Sequence, residues 1–175
     1  MTGAATPSVH ASAVKVGSRA VLIRGPSGAG KSRLAFDLIL AGRSGQLPPA
    51  ILVADDRVRL DTDGKELWAR AIPEVAGLIE IFGLGIRRCD YVNAAPVGLL
   101  VDLAAPDAER LPPPESLRIT LFGVLLPRIP VAAGHDPLPL VVAALTTTAS
   151  SSSVNDSGHC EKGIGNHISP TLATE

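Results

Sequence analysis

The sequence predicts an α/β domain rich in strands and hairpins, and three observations carry that expectation. An apolar, β-branched run, Arg19-Ala-Val-Leu-Ile-Arg24, leads straight into a glycine-bearing octet, Gly25-Pro-Ser-Gly-Ala-Gly-Lys-Ser32. Leu34, Leu38 and Ala41 then recur at helical spacing, so a buried strand, a loop and an amphipathic helix follow one another. Beyond that unit the apolar segments are short and separated by turn residues, which departs from a regular alternation of strands and helices.

Taken in order, Ala50-Ile-Leu-Val-Ala54 reads as a second buried strand that ends in Asp55-Asp56. Asp61-Thr-Asp-Gly64 is a turn between Val58–Leu60 and Leu67–Ala69, the pattern of a β-hairpin. Val97–Leu103 is another strand, and Ser116–Phe122 and Val124–Val131 are strands interrupted by Gly123, Pro127 and Pro130. Pro137–Leu145 reads as a last helix entered through proline. Residues 146–175 begin Thr-Thr-Thr-Ala-Ser-Ser-Ser-Ser and hold few apolar residues, so the expected organisation is one ordered domain over 8–145 and a disordered tail over 146–175.

Composition narrows the function. The chain has 175 residues, 46% hydrophobic, 3% aromatic, with a formal charge of −1. A nucleic-acid binder needs a basic field and stacking aromatics, and neither is present. Cys89 and Cys160 have no metal-ligand spacing and suggest a reducing compartment. With no secretory signal and no apolar run of membrane-spanning length, the expected setting is cytoplasmic, away from membranes.

The octet is a G-x-x-x-x-G-K-S P-loop. Gly25, Gly28 and Gly30 let backbone N–H groups approach phosphate oxygens that side chains would obstruct. Pro26, Ser27 and Ala29 complete the cradle, Lys31 brings a compact positive charge to the β- and γ-phosphates, and Ser32 offers a hydroxyl to Mg²⁺. The helix that follows points its positive dipole end at the anion. Asp55 and Asp56, after an apolar strand, are candidates for the metal shell or for a general base, on opposite sides of the chain. Glu80, in Ala76-Gly-Leu-Ile-Glu-Ile-Phe-Gly-Leu-Gly-Ile86, reads equally as a metal ligand or as a solvent-facing strand residue. On local grounds His10 is an ordinary surface histidine, Arg110 a solvated loop charge and Cys89 a structural thiol.

Together these segments resemble the catalytic domain of HPr kinase/phosphorylase, a bacterial enzyme that phosphorylates a serine of the phosphocarrier HPr. The resemblance rests on Ser8-Val-His10, the P-loop, Leu52-Val-Ala-Asp55-Asp56-Arg-Val58, Gly77-Leu-Ile-Glu80-Ile-Phe-Gly-Leu-Gly-Ile86, Asp107-Ala-Glu-Arg110-Leu and Leu126-Pro-Arg-Ile-Pro-Val131. It spans roughly residues 8–145, without the family's N-terminal domain. It implies a fold like the nucleotide-binding fold of phosphoenolpyruvate carboxykinase, with ATP and Mg²⁺ as cofactors and an HPr-like carrier as partner. Homo-oligomers are implied too, since the family packs as hexamers. By the match Lys31 binds phosphates, Ser32 and Glu80 hold Mg²⁺, the aspartate pair supplies the catalytic carboxylate, and His10 and Arg110 take active-site positions. Phe82 stands where the family signature has arginine, and the stretch from Ala132 to His135 is shorter than the family loop tied to dephosphorylation. Two other classes stay open: a degenerate ATP-binding regulatory module without phosphotransfer, and a P-loop kinase for a small molecule.

Overall fold

In chain order, the residues described by the computed structural model, 8–149, form thirteen elements. They are β1 (Ser8–His10), β2 (Ser12–Val16), β3 (Arg19–Arg24), α1 (Lys31–Arg43), β4 (Ala50–Ala54), β5 (Arg57–Thr62) and β6 (Leu67–Arg70). There follow β7 (Leu78–Ile81), β8 (Gly85–Arg88), β9 (Ala94–Leu103), β10 (Arg118–Leu121), β11 (Val124–Val131) and α2 (Leu138–Thr146), with a single 3₁₀ turn over Pro73–Val75. The first two expected strands and the two expected helices are all present. The expected tail lies, from residue 150 onward, outside the described residues.

β3 explains the architecture. Four consecutive residues, Ala20 to Ile23, are buried, because the strand is covered on both faces. Val21 and Ile23 join Val14, Leu34, Leu38, Leu99 and Val101 in a core between the sheet and α1. Ala20 and Leu22 turn the other way, into a second core with Ala13, Val53, Leu60, Leu67 and Leu100. The period-2 geometry of a strand thus divides one apolar run between two cores. Each buried Leu or Ile contributes about 1.5–3 kcal/mol of transfer free energy.

The main sheet runs β1-β5-β6-β9-β3-β2-β4. β9 is parallel to β3, with Ile23 beside Val101 and Arg24 beside Asp102, and its C-terminal half also pairs in parallel with β11. β2 is antiparallel to both β3 and β4, so β4 points the same way as β3. β3, β4, β9 and β11 therefore end at one edge of the sheet. The glycine-rich loop, the aspartate pair and Asp102 are all delivered there.

Two segments differ from expectation in detail. β11 runs through Pro127 and Pro130 rather than breaking at them. Its partner β10 pairs only as far as Pro127, so β11 is an edge strand beyond that point and tolerates a missing N–H. The segment around Glu80 folds as β7–β8, a hairpin separate from the main sheet. Ile79 is buried in the α1 core and anchors that hairpin.

Candidate functional site

The glycine-rich loop takes its shape from backbone conformations that side chains resist. Gly25 has φ 151°, and a Cβ there would sit 2.9 Å from Cβ of Leu103, so the chain leaving β3 lies tight against the end of β9. Gly30 caps α1 with φ 93°, and no side chain accepts a hydrogen bond from the helix's first N–H groups. Those donors, with the positive end of the helix dipole, are open to an anion. Ser32 lies half-buried in the first turn.

Lys31 is nearly buried, and its Nζ donates to the carbonyls of Gly25 at 3.0 Å and Pro26 at 2.9 Å. The ammonium is thereby folded into the loop. Burial pulls its pKa below the ordinary lysine value, while the neighbouring charges of Asp56 and Asp55 act in the opposite direction. Lys31 and both aspartates thus share one electrostatic neighbourhood.

The adjacent aspartates have different surroundings. Asp55, 5% exposed, accepts a 2.5 Å hydrogen bond from Ser12 Oγ and one at 3.0 Å from the main-chain N–H of Glu80. It ties the start of β2 and the β7–β8 hairpin to the end of β4. Asp56 adopts the left-handed conformation, φ 63°, and its side chain is 67% exposed. That turn, rather than simple strand alternation, sends the two carboxylates apart. His10 Nδ1 lies 3.1 Å from both the carboxylate and the main-chain carbonyl of Asp56. The pairing of β1 with β5, His10 opposite Arg57, brings the imidazole there.

Glu80 is brought to the site through its backbone, while its side chain is exposed, the strand's alternation having turned Ile79 inward. The cost of a buried carboxylate therefore does not arise. Among the described residues, no group of three or more His, Cys, Asp or Glu side chains gathers as a metal site. Arg110 is exposed and makes no hydrogen bond or ion pair within the described residues. Phe82 is fully exposed at the tip of the β7–β8 hairpin. Burial raises the Cys89 thiol above its ordinary pKa, which suits a structural role.

Sequence reasoning missed a cluster on the other side of β3. Asp102 accepts from Arg24 Nε and Nη2, at 2.8 and 2.9 Å, and from Arg128 Nε at 2.6 Å. Arg128 also grips Asp107, at 2.6 and 2.9 Å. Burial raises the Asp102 carboxyl, but the Arg24 and Arg128 hydrogen bonds outweigh it and hold the group below the usual carboxylate range. The signal was available: a lone acid inside the apolar run Val97–Leu103, with an arginine closing the neighbouring strand.

Fold and site define a mixed α/β, strand-rich protein whose polar and ionisable groups collect where the parallel strands end. The chain belongs to the HPr serine kinase C-terminal domain family, whose model matches residues 2–94. It is 29% identical over 154 residues to an HPr kinase/phosphorylase of Mycoplasma mycoides, covering 80% of this chain and 47% of that relative. It is 33% identical over 178 residues to the HPr kinase/phosphorylase of Lacticaseibacillus casei, covering 92% and 52%. The structure of the HPr(Ser) kinase/phosphatase from Coxiella burnetii superposes with a TM-score of 0.62 at 28% identity, over 79% of this chain and 93% of the other. The chain spans about half the length of the curated relatives it matches.

Proposed function

We propose that residues 8–145 form a P-loop kinase unit, related in fold to the nucleotide-binding domain of phosphoenolpyruvate carboxykinase, that transfers the γ-phosphoryl group of ATP to a serine of an HPr-like phosphocarrier. The observation that carries this is the Lys31 ammonium, folded into a glycine loop at an uncapped helix N-terminus with two aspartates in its field. A polyphosphate fits that cradle: the first N–H groups of α1 are unclaimed by any cap, and a Cβ at Gly28 or Gly30 would meet nothing within 4 Å.

In this reading Lys31 and the main-chain N–H groups of the glycine-rich loop hold the phosphates, apart from Pro26, which has none, and Ala29, which donates to the Pro26 carbonyl. Ser32 and Glu80 hold Mg²⁺, a cation usually bound by one or two protein ligands plus substrate phosphates. When bound, the metal neutralises charge on the phosphates. Asp56 is the base, because it is exposed and its oxygens are not spent on protein donors other than His10. Asp55 already accepts two hydrogen bonds and is the anchor. As the serine oxygen bonds to the γ-phosphorus, its proton passes to Asp56, the bond to the β-phosphate oxygen breaks, and ADP leaves. His10 orients Asp56. Arg110 balances charge on the moving phosphoryl group, a role taken from the family match alone. The same residues run in reverse would let protonated Asp56 return its proton to serine while inorganic phosphate takes the phosphoryl group as pyrophosphate. The mechanism needs neither nucleic acid nor membrane, and no helix among the described residues is long and apolar enough to cross one.

The test is transfer from labelled ATP with Mg²⁺ to purified HPr. Serine phosphate should form, and Lys31→Ala should reduce the rate by about 10³-fold or more, since charge stabilisation of the transferred group is the main catalytic term. Absence of labelled serine while ATP binds would sink the kinase reading. A second reading, an ATP-binding regulatory module without transfer, is favoured by Phe82 where the family signature has arginine. Gain of transfer in Phe82→Arg, from an inactive parent that binds ATP, would select it.

A further inference from the structure

The Asp102–Arg128 cluster has a place in the fold that the proposed chemistry does not use. Arg24 is the last residue of β3, bonded directly to Gly25, where the glycine-rich loop begins. Its guanidinium forms a two-pronged pair with Asp102, its register partner on β9. Asp102 passes the connection to Arg128 on β11. Arg128 spends Nε on Asp102, Nη2 on Asp107, and Nη1 on both Asp107 and the carbonyl of Ser116 at 3.1 Å. The Arg128 and Asp102 side chains are 12% and 14% exposed. Four of the five guanidinium N–H donors are thus committed within the fold.

What Arg128 grips is a long loop, residues 104–117, joining β9 to β10. It leaves β9 through Ala104 in the left-handed conformation, φ 54°. Its first stem is tied by Ala105 N–H to the Val131 carbonyl at 2.9 Å, and its second by Arg128 N–H to the Leu117 carbonyl at 2.8 Å. The guanidinium closes both stems at once, through Asp107 and Ser116. Asp107 stands three residues before Arg110. An unbroken line of bonds therefore runs from Gly25 through Arg24, Asp102, Arg128 and Asp107 to the segment carrying Arg110.

We propose that Asp102 and Arg128 are positioning residues: their clasp holds the 104–117 loop, and Arg110 with it, in fixed relation to the glycine-rich loop. The inference rests on the proposed kinase reading for what that loop binds. Fixing reacting and charge-balancing groups against one another is worth large factors in rate, and a shift of an ångström is costly. If the clasp served stability alone, breaking it would lower the melting temperature while the response of the 104–117 loop to nucleotide stayed the same.

Hydrogen exchange of the 104–117 amides, with and without a non-hydrolysable ATP analogue and Mg²⁺, separates the two roles. In the full chain the analogue should slow exchange in 104–117 by about threefold or more, because ordering one loop orders the other through the clasp. In Asp102→Asn that protection should vanish while analogue affinity changes by less than about threefold, and kcat for transfer to HPr should fall about tenfold. Asp107→Asn, which removes only the exposed end of the clasp, supplies the same readout if Asp102→Asn fails to fold. Retained protection and unchanged kcat in both variants, or nucleotide affinity falling in step with kcat, would overturn the proposal. A parent chain that binds the analogue without altering 104–117 overturns it as well. A parent chain that binds no nucleotide defeats the kinase reading itself, and so is distinguishable.

Discussion

Two pairs of aspartates flank β3 at the same edge of the sheet, and they are used in opposite ways. On the β4 side, Asp55 is buried under a hydroxyl and a main-chain amide while Asp56 turns outward with His10 as its hydrogen-bonding partner. On the β9 side, Asp102 and Asp107 are both closed on arginines. A carboxylate held by guanidinium donors is locked in its charged form and makes a poor proton carrier. One that faces a single imidazole and is largely exposed has an oxygen open to a substrate hydroxyl. Asp55 and Asp56 act on Lys31, and Asp102 pairs with the arginine before Gly25, so the partners, and not the place, separate a candidate base from a fastener.

The contrast is broken most severely at Asp56. Asp56→Asn, which preserves shape and removes basicity, should lower phosphotransfer by about 10²–10⁴-fold with nucleotide affinity and melting temperature nearly unchanged. A comparable rate in that variant, measured in the same assay, would move the proton-accepting role elsewhere.

A smaller effect, on stability instead of rate, is expected on the other side. Asp102→Asn removes the charge behind three hydrogen bonds and one of the two acceptor oxygens but leaves Arg128 its grip on Asp107, so the cost should be about 2–3 kcal/mol. For a chain of this size that lowers Tm by roughly 5–10 °C, readable by calorimetry.

The mildest test sharpens the comparison by pH. The Asp102 carboxyl is held below its unfolded value, so its contribution is present above the unfolded pKa and lost as pH falls through the folded one. The stability gap between the parent chain and Asp102→Asn should therefore be constant near neutrality and narrow below about pH 4. A gap that stays constant through that window would mean the arginines do not depress the group.

Much of the edge of the sheet was legible before any coordinates. The run Arg19–Arg24, the octet and the Leu34–Leu38–Ala41 spacing outline β3, its loop and α1, because each signal lies within a few neighbouring residues. The strand Ala50–Ala54 and the hairpin β5–β6 were legible for the same reason. The surroundings of Asp55 and Asp56 were not: simple alternation places them on opposite sides, but the left-handed turn at Asp56 and the partners Ser12 and His10 depend on β2 and β1 pairing across more than forty residues. Glu80 read equally as a metal ligand or as a solvent-facing strand residue, and its exposed side chain was fixed only when its strand paired in a hairpin outside the main sheet.

Residue order alone thus dictated the strand–loop–helix unit, the β5–β6 hairpin, the strands β4, β9, β10 and β11, and the types of group available, since propensity and periodicity are local properties. Tertiary structure decided which acid meets which base. β9 brings Asp102 beside Arg24, seventy-eight positions away, and β11 adds Arg128. Hydrogen bonds act over about 3 Å, and a distance that short between remote residues exists only once the sheet has set its register.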